Sequence, residues 1–426
     1  MIRTIRSHFL RDKLLRNTGW MLVSEAIAKV SRIITILAMA NLLSPALFGI
    51  ASLAIVCHEL IRVFSRAGAG ATVIQCDEEQ LPKIAANASL LQWLMCTTLT
   101  VAQVLAAPAI AHFYQEPALQ PLLTIMAFTY LCYPLVSIKV FMLQRENRMQ
   151  YFALGNAVSV SVDNLSIVLF LLLGEGIYAI AYAKVVTAIV WVFIFGSVRI
   201  GNYWPKFHRH VFFRLVAISS HIFSTEVLRV LRAQIDILIA GKLLSPELFG
   251  LYSFAKNAGV GLSQSIITAY IAGLYPYLCE RFRAKHTAQA MIKSIKYAGI
   301  LSLLFVVQAL LAPIYVNLLF HSQWSTAASL VSILCLAGIP AIFVDTSAML
   351  FRAGNKTLIE AALIFYCVLI MAMVLVFAAP TTPVGLALAT SLSSALWLIP
   401  LALIGLKKLS ARQYAFRKTP LVKVPL

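Results

Sequence analysis

The sequence predicts an all-α, polytopic membrane protein of about twelve transmembrane helices, arranged as two parallel six-helix repeats around a central cavity. Three observations carry that reading. Hydrophobic residues make up 61% of the 426-residue chain, charged residues only 12%, and the mean hydropathy is +0.86, a balance that no soluble domain needs. Apolar runs long enough for a bilayer, roughly 20 residues each, succeed one another along the whole chain. The stretch Leu42-Leu43-Ser44-Pro45-Ala46-Leu47-Phe48-Gly49 also returns as Leu243-Leu244-Ser245-Pro246-Glu247-Leu248-Phe249-Gly250. Ser52 and Ala54 continue the match onto Ser253 and Ala255. In each copy Ser-Pro ends one helix and starts the next, and Gly permits a close approach, so each copy reads as a helical hairpin.

The predicted spans run approximately over 18–40, 46–66, 85–108, 119–141, 150–173, 177–198, 212–240, 247–274, 292–314, 326–350, 358–379 and 383–405. Lys and Arg set their orientation. The clusters Arg3 to Arg16, Arg199 to Arg214, Arg281 to Lys296 and Lys407 to Lys423 fall in connections on one side, with Arg66, Lys83, Lys139, Arg145, Arg148, Arg352 and Lys356. The opposite side holds only Lys242. Both termini are therefore expected in the cytoplasm, and the basic tail on the anionic leaflet. Because about six spans separate the two hairpins, the halves insert the same way round, which makes them parallel repeats. The divide is expected near Trp204-Pro205-Lys206, giving lobes of residues 1–205 and 206–426. Met142-Leu143-Gln144-Arg145 after the fourth span resembles Met349-Leu350-Phe351-Arg352 after the tenth. Met1 to Arg16 has no apolar core before a cleavage site, so no removable signal peptide is expected. The far-side connections are short, with Pro108–Leu119 and Tyr315–Ser325 the longest.

The net charge of +19 would suit nucleic acid, but its confinement to connections on one face excludes that class. Seven dispersed cysteines lack Cys-x-x-Cys spacing and support neither a metal nor a disulfide. No nucleophile elbow, phosphate loop or metal motif is present, so neither enzyme chemistry nor a cofactor is expected. His58 and His221 read as polar packing or cavity residues, because no second ligand follows at metal spacing.

Charges inside spans are expensive and default to functional candidates. Glu25, Lys29 and Arg32 share one face of the first span, and His58, Glu59 and Arg62 lie in the second. Glu226, Arg229, Arg232 and Asp236 share an arc of the seventh. Asp163, Lys184, Lys256 and Asp345 complete the set. Glu25 falls on Glu226 under the repeat, which points to a hydrated cavity between the halves. The alternative is a set of structural ion pairs at helical spacing: Glu25–Lys29, Glu59–Arg62, Glu226–Arg229 and Arg232–Asp236. Asp163 and Lys184 have no such local partner.

The duplicated hairpin resembles the "LLxPxxFGxxxxA" pattern of bacterial polysaccharide exporters in the multidrug/oligosaccharidyl-lipid/polysaccharide exporter superfamily. The likeness continues through Gly68-Ala69-Gly70-Ala71-Thr72-Val73-Ile74-Gln75, Leu143-Gln144-Arg145-Glu146-Asn147-Arg148-Met149, Leu274-Tyr275-Pro276-Tyr277-Leu278 and Phe351-Arg352-Ala353-Gly354-Asn355-Lys356. It implies two six-helix lobes in the bacterial inner membrane that flip an undecaprenyl-diphosphate-linked oligosaccharide outward. The unit would be an O-antigen, a colanic-acid-like or another exopolysaccharide repeat, and glycosyltransferases and a polymerase would work alongside. Relatives use cations of helices 1, 2 and 8 for the lipid diphosphate. The matching positions are Arg32, Arg62 and Lys256; Arg229, Arg232 and Lys29 join them in the same cavity. Glu25, Glu59, Glu226, Asp236 and Asp345 are then coupling or ion-pair candidates. The chain is expected to stop after twelve helices, without the extra lipid-groove pair of fourteen-helix members. Two other functions compete. A drug antiporter would want an acidic, aromatic cavity, and a glycan polymerase or ligase would want a large external loop with catalytic residues, whereas both longer external loops lack Lys and Arg.

Overall fold

The computed structural model describes residues 13–401 except 67, 68, 77, 147, 202, 284, 285, 321 and 355. The basic residues Arg3, Arg6 and Arg11 and the tail after Leu401 lie outside this set, as does the side chain of His221. All regular secondary structure among the described residues is helical. Its first half contains α1 (Lys13–Leu42), α2 (Pro45–Arg62), the short α3 (Ala69–Gln75), α4 (Leu81–Tyr114), α5 (Leu119–Ala127), α6 (Tyr133–Arg145), α7 (Met149–Leu172) and α8 (Tyr178–Gly196). The second half contains α9 (Arg209–Leu243), α10 (Pro246–Ala255), α11 (Gly261–Arg283), α12 (Thr287–Leu319), α13 (Ala327–Leu336), α14 (Gly338–Ala353), α15 (Thr357–Ala378) and α16 (Pro383–Leu396).

The protein is a multi-pass membrane protein. Nine helical stretches among the described residues are long and apolar enough to cross a bilayer, counting α5–α6 and α13–α14 as one stretch each. Large apolar side chains such as Leu310, Leu318, Leu358 and Phe377 point outward, as a lipid solvent requires. The predicted spans that miss this standard are the first, seventh and eighth. They correspond to α1, α9 and the α10–α11 stretch, and they are the ones that carry Glu25, Lys29, Arg32, Arg229, Arg232, Asp236 and Lys256. At about 1.5 Å per residue, α1 and α9 exceed the roughly 30 Å of a hydrocarbon core.

The breaks within spans follow the sequence. Pro134 and Pro340 sit in the first turns of α6 and α14 and withhold an N–H from the preceding turn. The fourth and tenth predicted spans therefore each form as two segments. Pro108 and Pro313, in contrast, lie inside α4 and α12 without ending them. This corrects the expected far-side connections: α4 continues to Tyr114 and α12 to Leu319, so both are shorter than 108–119 and 315–325.

The two copies of the repeated hairpin make the same turn. Ser44 and Ser245 both adopt extended backbone, ψ 158°, immediately before a helix that begins at Pro. Ser44 also accepts from the N–H of Leu47 at 3.4 Å, which satisfies one orphan donor of α2. The copies then pack on each other. A Cβ on Gly250 would stand 1.8 Å from the carbonyl oxygen of Pro45, and one on Gly49 would stand 2.9 Å from the ring of Phe249. Around this contact a single core runs through both halves, with Phe48, Phe254 and Trp324 at its centre.

Two of the family-like motifs bind one another. The guanidinium of Arg145 donates through Nη1 to the carbonyls of Val73 at 2.9 Å and Cys76 at 2.6 Å, and through Nη2 to Glu78 at 2.9 Å. It thereby closes the C-terminal end of α3, where carbonyls lack helical partners.

The glycine contact makes a specific prediction. Gly250→Ala has to displace backbone, so it should lower the melting temperature in detergent by several degrees, whereas Gly299→Ala, with nothing within 4 Å of its Cβ, should leave it unchanged or raise it. Thermal denaturation of the two purified variants beside the parent checks both arms.

A candidate binding cavity at the seam of the two halves

The helix that continues α10 does not stay α-helical. Lys256–Val260 forms a π-helical turn before α11 begins. A π-turn displaces backbone carbonyls from their usual donors, and α12 supplies replacements. Gln308 Nε2 donates to Gly259 O at 2.8 Å, and Tyr315 Oη donates to Ala258 O at 3.4 Å. The turn presents Asn257 to α1, where Arg32 Nη2 donates to Asn257 Oδ1 at 3.4 Å. Between these elements lies a cavity of about 220 Å³, with Lys29 and Arg32 at one wall and Ile33, Leu37, Leu319 and Phe320 among its apolar surfaces.

Most of the intramembrane charges are paired, and mainly between helices. Asp163 and Lys184, which lack a local partner in the sequence, meet across α7 and α8 at 2.6 Å, with Thr187 donating to the same carboxylate at 3.2 Å. Glu59 and Arg62 pair within α2 as their spacing predicts, at 2.6 Å. Two other pairings expected from spacing are corrected. Arg229 binds Glu360 of α15 rather than Glu226, and Arg352 holds the same Glu360 at 2.6 Å. Arg232 binds Asp345 of α14 at 2.6 Å rather than Asp236, and stands over the ring of Trp397. Asp236 instead takes Lys256 at 2.5 Å on one oxygen and the hydroxyl of Tyr252 at 2.8 Å on the other. The reason is directional: a side chain on the inner face of α9 points at neighbouring helices, and a carboxylate there competes on better terms than one along the same helix.

Among the described residues Lys29, Arg32, Glu25 and Glu226 form no ion pair within 4 Å, which also removes the expected Glu25–Lys29 bridge. Arg32 feels the fields of Glu59 and Asp163 across the first half without touching either. Measured along their helices at about 1.5 Å per residue, Arg32 and Lys256 lie at one depth, about 15 Å from the hairpin ends, while Arg62 lies about 10 Å further toward the basic side.

Glu360 is the residue that sequence reasoning missed. It stands one turn into an apolar span, is 1% exposed and joins two arginines. Its signal was present, an acid inside hydrocarbon eight residues after the motif arginine Arg352. His58 belongs to a packing network. Its ring stacks on Tyr130, whose hydroxyl donates to Gln103 Oε1 at 2.6 Å and contacts the His58 carbonyl at 3.0 Å.

The end of the seam opposite the basic connections is sealed by polar contacts as well as by Gly49 and Gly250. Lys242 donates to the carbonyl of Phe113 at 2.6 Å and covers its ring. Tyr114 donates to Leu238 O at 3.1 Å, and Gln323 and Trp324 both donate to Ala40 O, at 3.0 and 2.7 Å. In the turn after α4, outside the spans, Glu116 has its carboxyl pushed above the usual range, by burial first and by Glu247 across the seam second.

Two predictions follow from these contacts. Asp163→Asn or Lys184→Gln alone should cost on the order of 3 kcal/mol by stranding a charge, and the double change should recover most of it; melting curves of the three variants check this. A carboxyl whose pKa is raised in the sealed state favours that state as pH falls through the raised value. Acidifying the far side to about pH 5 should therefore slow far-side labelling of a cysteine placed at Leu37 in a background free of native cysteines, and Glu116→Gln should remove the dependence.

Comparison with known proteins finds a matching family and a shared fold. The family described as "Polysaccharide biosynthesis protein" matches residues 38–329. The chain is 25% identical over 340 residues to the succinoglycan biosynthesis transport protein ExoT of Rhizobium meliloti (strain 1021), covering 76% of this chain and 65% of that one. It is 22% identical over 313 residues to the teichuronic acid biosynthesis protein TuaB of Bacillus subtilis (strain 168), covering 70% and 62%. The chain thus spans less than two thirds of the length of these relatives. In fold it resembles the inward closed conformation of the lipid II flippase MurJ, with a TM-score of 0.75 at 14% identity over 91% of this chain and 87% of that one. The inward-facing conformation of a multidrug resistance MATE family transporter of the MOP superfamily follows, with a TM-score of 0.65 at 15% identity over 95% and 96%.

Proposed function

This chain belongs to the polysaccharide biosynthesis protein family, and on that premise we propose that it is a flippase, not an enzyme, that moves a lipid-linked oligosaccharide across the bilayer. The substrate is an undecaprenyl-diphosphate-linked unit of an O-antigen, colanic-acid-like or other exopolysaccharide. The membrane is the bacterial inner membrane, the basic connections and both termini face the cytoplasm, and twelve spans form lobes of residues 1–205 and 206–426 that rock about the seam. The name of the structural neighbour MurJ, a lipid II flippase, supports the substrate class, as does the polymer chemistry in the names of ExoT and TuaB.

The observation that carries the reading is the seam cavity, where two cations without a carboxylate partner adjoin an apolar wall. A sugar diphosphate cannot enter hydrocarbon without replacement of its water, and ammonium and guanidinium groups bind phosphate oxygens through charge-assisted hydrogen bonds. Lys29 and Arg32 are available for this without breaking an ion pair. A cavity of about 220 Å³ is below the roughly 300–1,000 Å³ of whole-ligand pockets. It suits the diphosphate, leaving the glycan between the lobes and the lipid chain against Ile33, Leu37 and Leu319. Arg62 and Lys256 join when the anion draws them from Glu59 and Asp236. Arg229 and Arg232, held by Glu360 and Asp345, serve the same anion more remotely, and Glu25 and Glu226 remain the unpaired acids available for coupling. A cationic drug would meet repulsion from Lys29 and Arg32, which disfavours the antiporter.

Deleting the gene should stop surface polymer and leave lipid-linked units facing the cytoplasm; normal polymer in a strain without a second exporter would sink the proposal. In complementation, Arg32→Gln should abolish export while the protein accumulates, and Arg32→Lys should restore only part, because a point charge lacks the guanidinium fork. Glu59→Gln with Arg62→Gln should accumulate but stay inactive. Full export by that double variant would reduce Arg62 to a structural partner of Glu59.

A further inference from the structure

The connection between the two halves has a surface that the transport cycle leaves unused. The described residues from Ser197 to His208 are not helical, yet they are pinned from behind. Lys206 N donates to Ala86 O at 3.3 Å, and His208 N donates to the Oδ1 of buried Asn87 at 2.8 Å, with the Asn87 amide and the His208 ring 3.0 Å apart. Ile200, Tyr203, Phe212 and Leu215 turn inward onto the core of the first half. The remaining side chains are thereby forced out. Trp204 is 75% exposed, Phe207 59% and Phe213 59%, and between them stand exposed Lys206, Arg209 and Arg214. Trp324 and Trp397, by comparison, are 0% and 5% exposed.

We propose that this face binds anionic phospholipid, with Trp204, Phe207 and Phe213 seated at the boundary of headgroups and acyl chains and Lys206, Arg209 and Arg214 pairing the phosphates. Rings held rigidly in water would be unfavourable, whereas aromatic tips at headgroup level are favourable, and cations beside them add attraction to an anionic leaflet. Position supports a lipid occupant. The segment joins the end of α8 to the start of α9 on the side where basic connections gather, so it lies where spans leave the bilayer. Charge supports an anionic one, because residues 199–214 contain no Asp or Glu. In the turn before α4, Glu78 is engaged by Arg145. Anchored in this way, the connection stays at one depth while the lobes move about the far-side seam.

The test uses the full chain in lipid nanodiscs, with Trp204→Phe as the blank that isolates the fluorescence of Trp204 from that of the other tryptophans. Acyl-brominated lipids, either anionic or zwitterionic, are supplied at equal mole fraction. The proposal expects the Trp204 signal to be quenched at least twofold more by the brominated anionic lipid. It also expects Lys206→Gln with Arg209→Gln and Arg214→Gln to level the two while retaining quenching. Equal quenching of the parent by both lipids would overturn it, reducing the face to an unselective aromatic anchor. Absence of quenching by either would overturn it too, leaving the face to water or to a protein partner.

Discussion

A charge buried among helices in lipid has to find its counter-charge on a neighbouring helix, and that requirement organises the interior of this protein. Apart from Glu59–Arg62 within α2, the pairs crosslink different elements. Asp163–Lys184 joins α7 to α8, Arg232–Asp345 joins α9 to α14, Lys256–Asp236 joins the π-turn to α9, and Glu360 gathers arginines from α9 and α14. Helices in lipid gain little from excluding water, so such polar contacts and close packing have to supply cohesion. The same pairing decides what is left over for function. Once the carboxylates among the described residues are assigned, Lys29 and Arg32 remain as cations lining the cavity without one.

The far side of the seam solves a different problem, that of holding two halves together in a way that can be undone. Gly49 and Gly250 bring backbone against backbone, which gives dispersion contacts without interlocking side chains. The hydrogen bonds around them share a feature. Lys242, Tyr114, Gln323 and Trp324 all donate to backbone carbonyls at or near helix ends. Those of Ala40 and Phe113, in the last turns of α1 and α4, have no intrahelical donor and can return to water when the contact opens. The seal is therefore specific in register yet, among the described residues, contains no buried ion pair that would have to be broken.

The two copies of each repeated motif are used unequally. Arg145 and Arg352 occupy matching places after the fourth and tenth predicted spans. Arg145 closes the end of α3 through backbone carbonyls, while Arg352 reaches into the protein and shares Glu360 with Arg229. The hairpins also differ: Ser44 caps its helix with its side chain, and Ser245 does not, the acid in the first turn there being Glu247. Among the described residues the π-turn falls only in the second half, and the cavity lies beside it.

Composition, apolar run length and the repeated hairpin were enough to establish an all-helical membrane protein, because hydrocarbon forces the backbone to satisfy itself and each span must announce itself in sequence. The Glu59–Arg62 pair was legible for the same local reason, since three residues along one helix bring two side chains together. What the sequence did not contain was the partner of each remaining charge. Asp163 with Lys184, Arg229 with Glu360 and Asp236 with Lys256 are separated by 21, 131 and 20 positions, and nothing in helical periodicity relates them. The closeness of Gly49 to Gly250 and the exposure of Trp204 were likewise decided by packing. Local rules determine which residues share a helix face, and only the assembly of helices determines what that face meets.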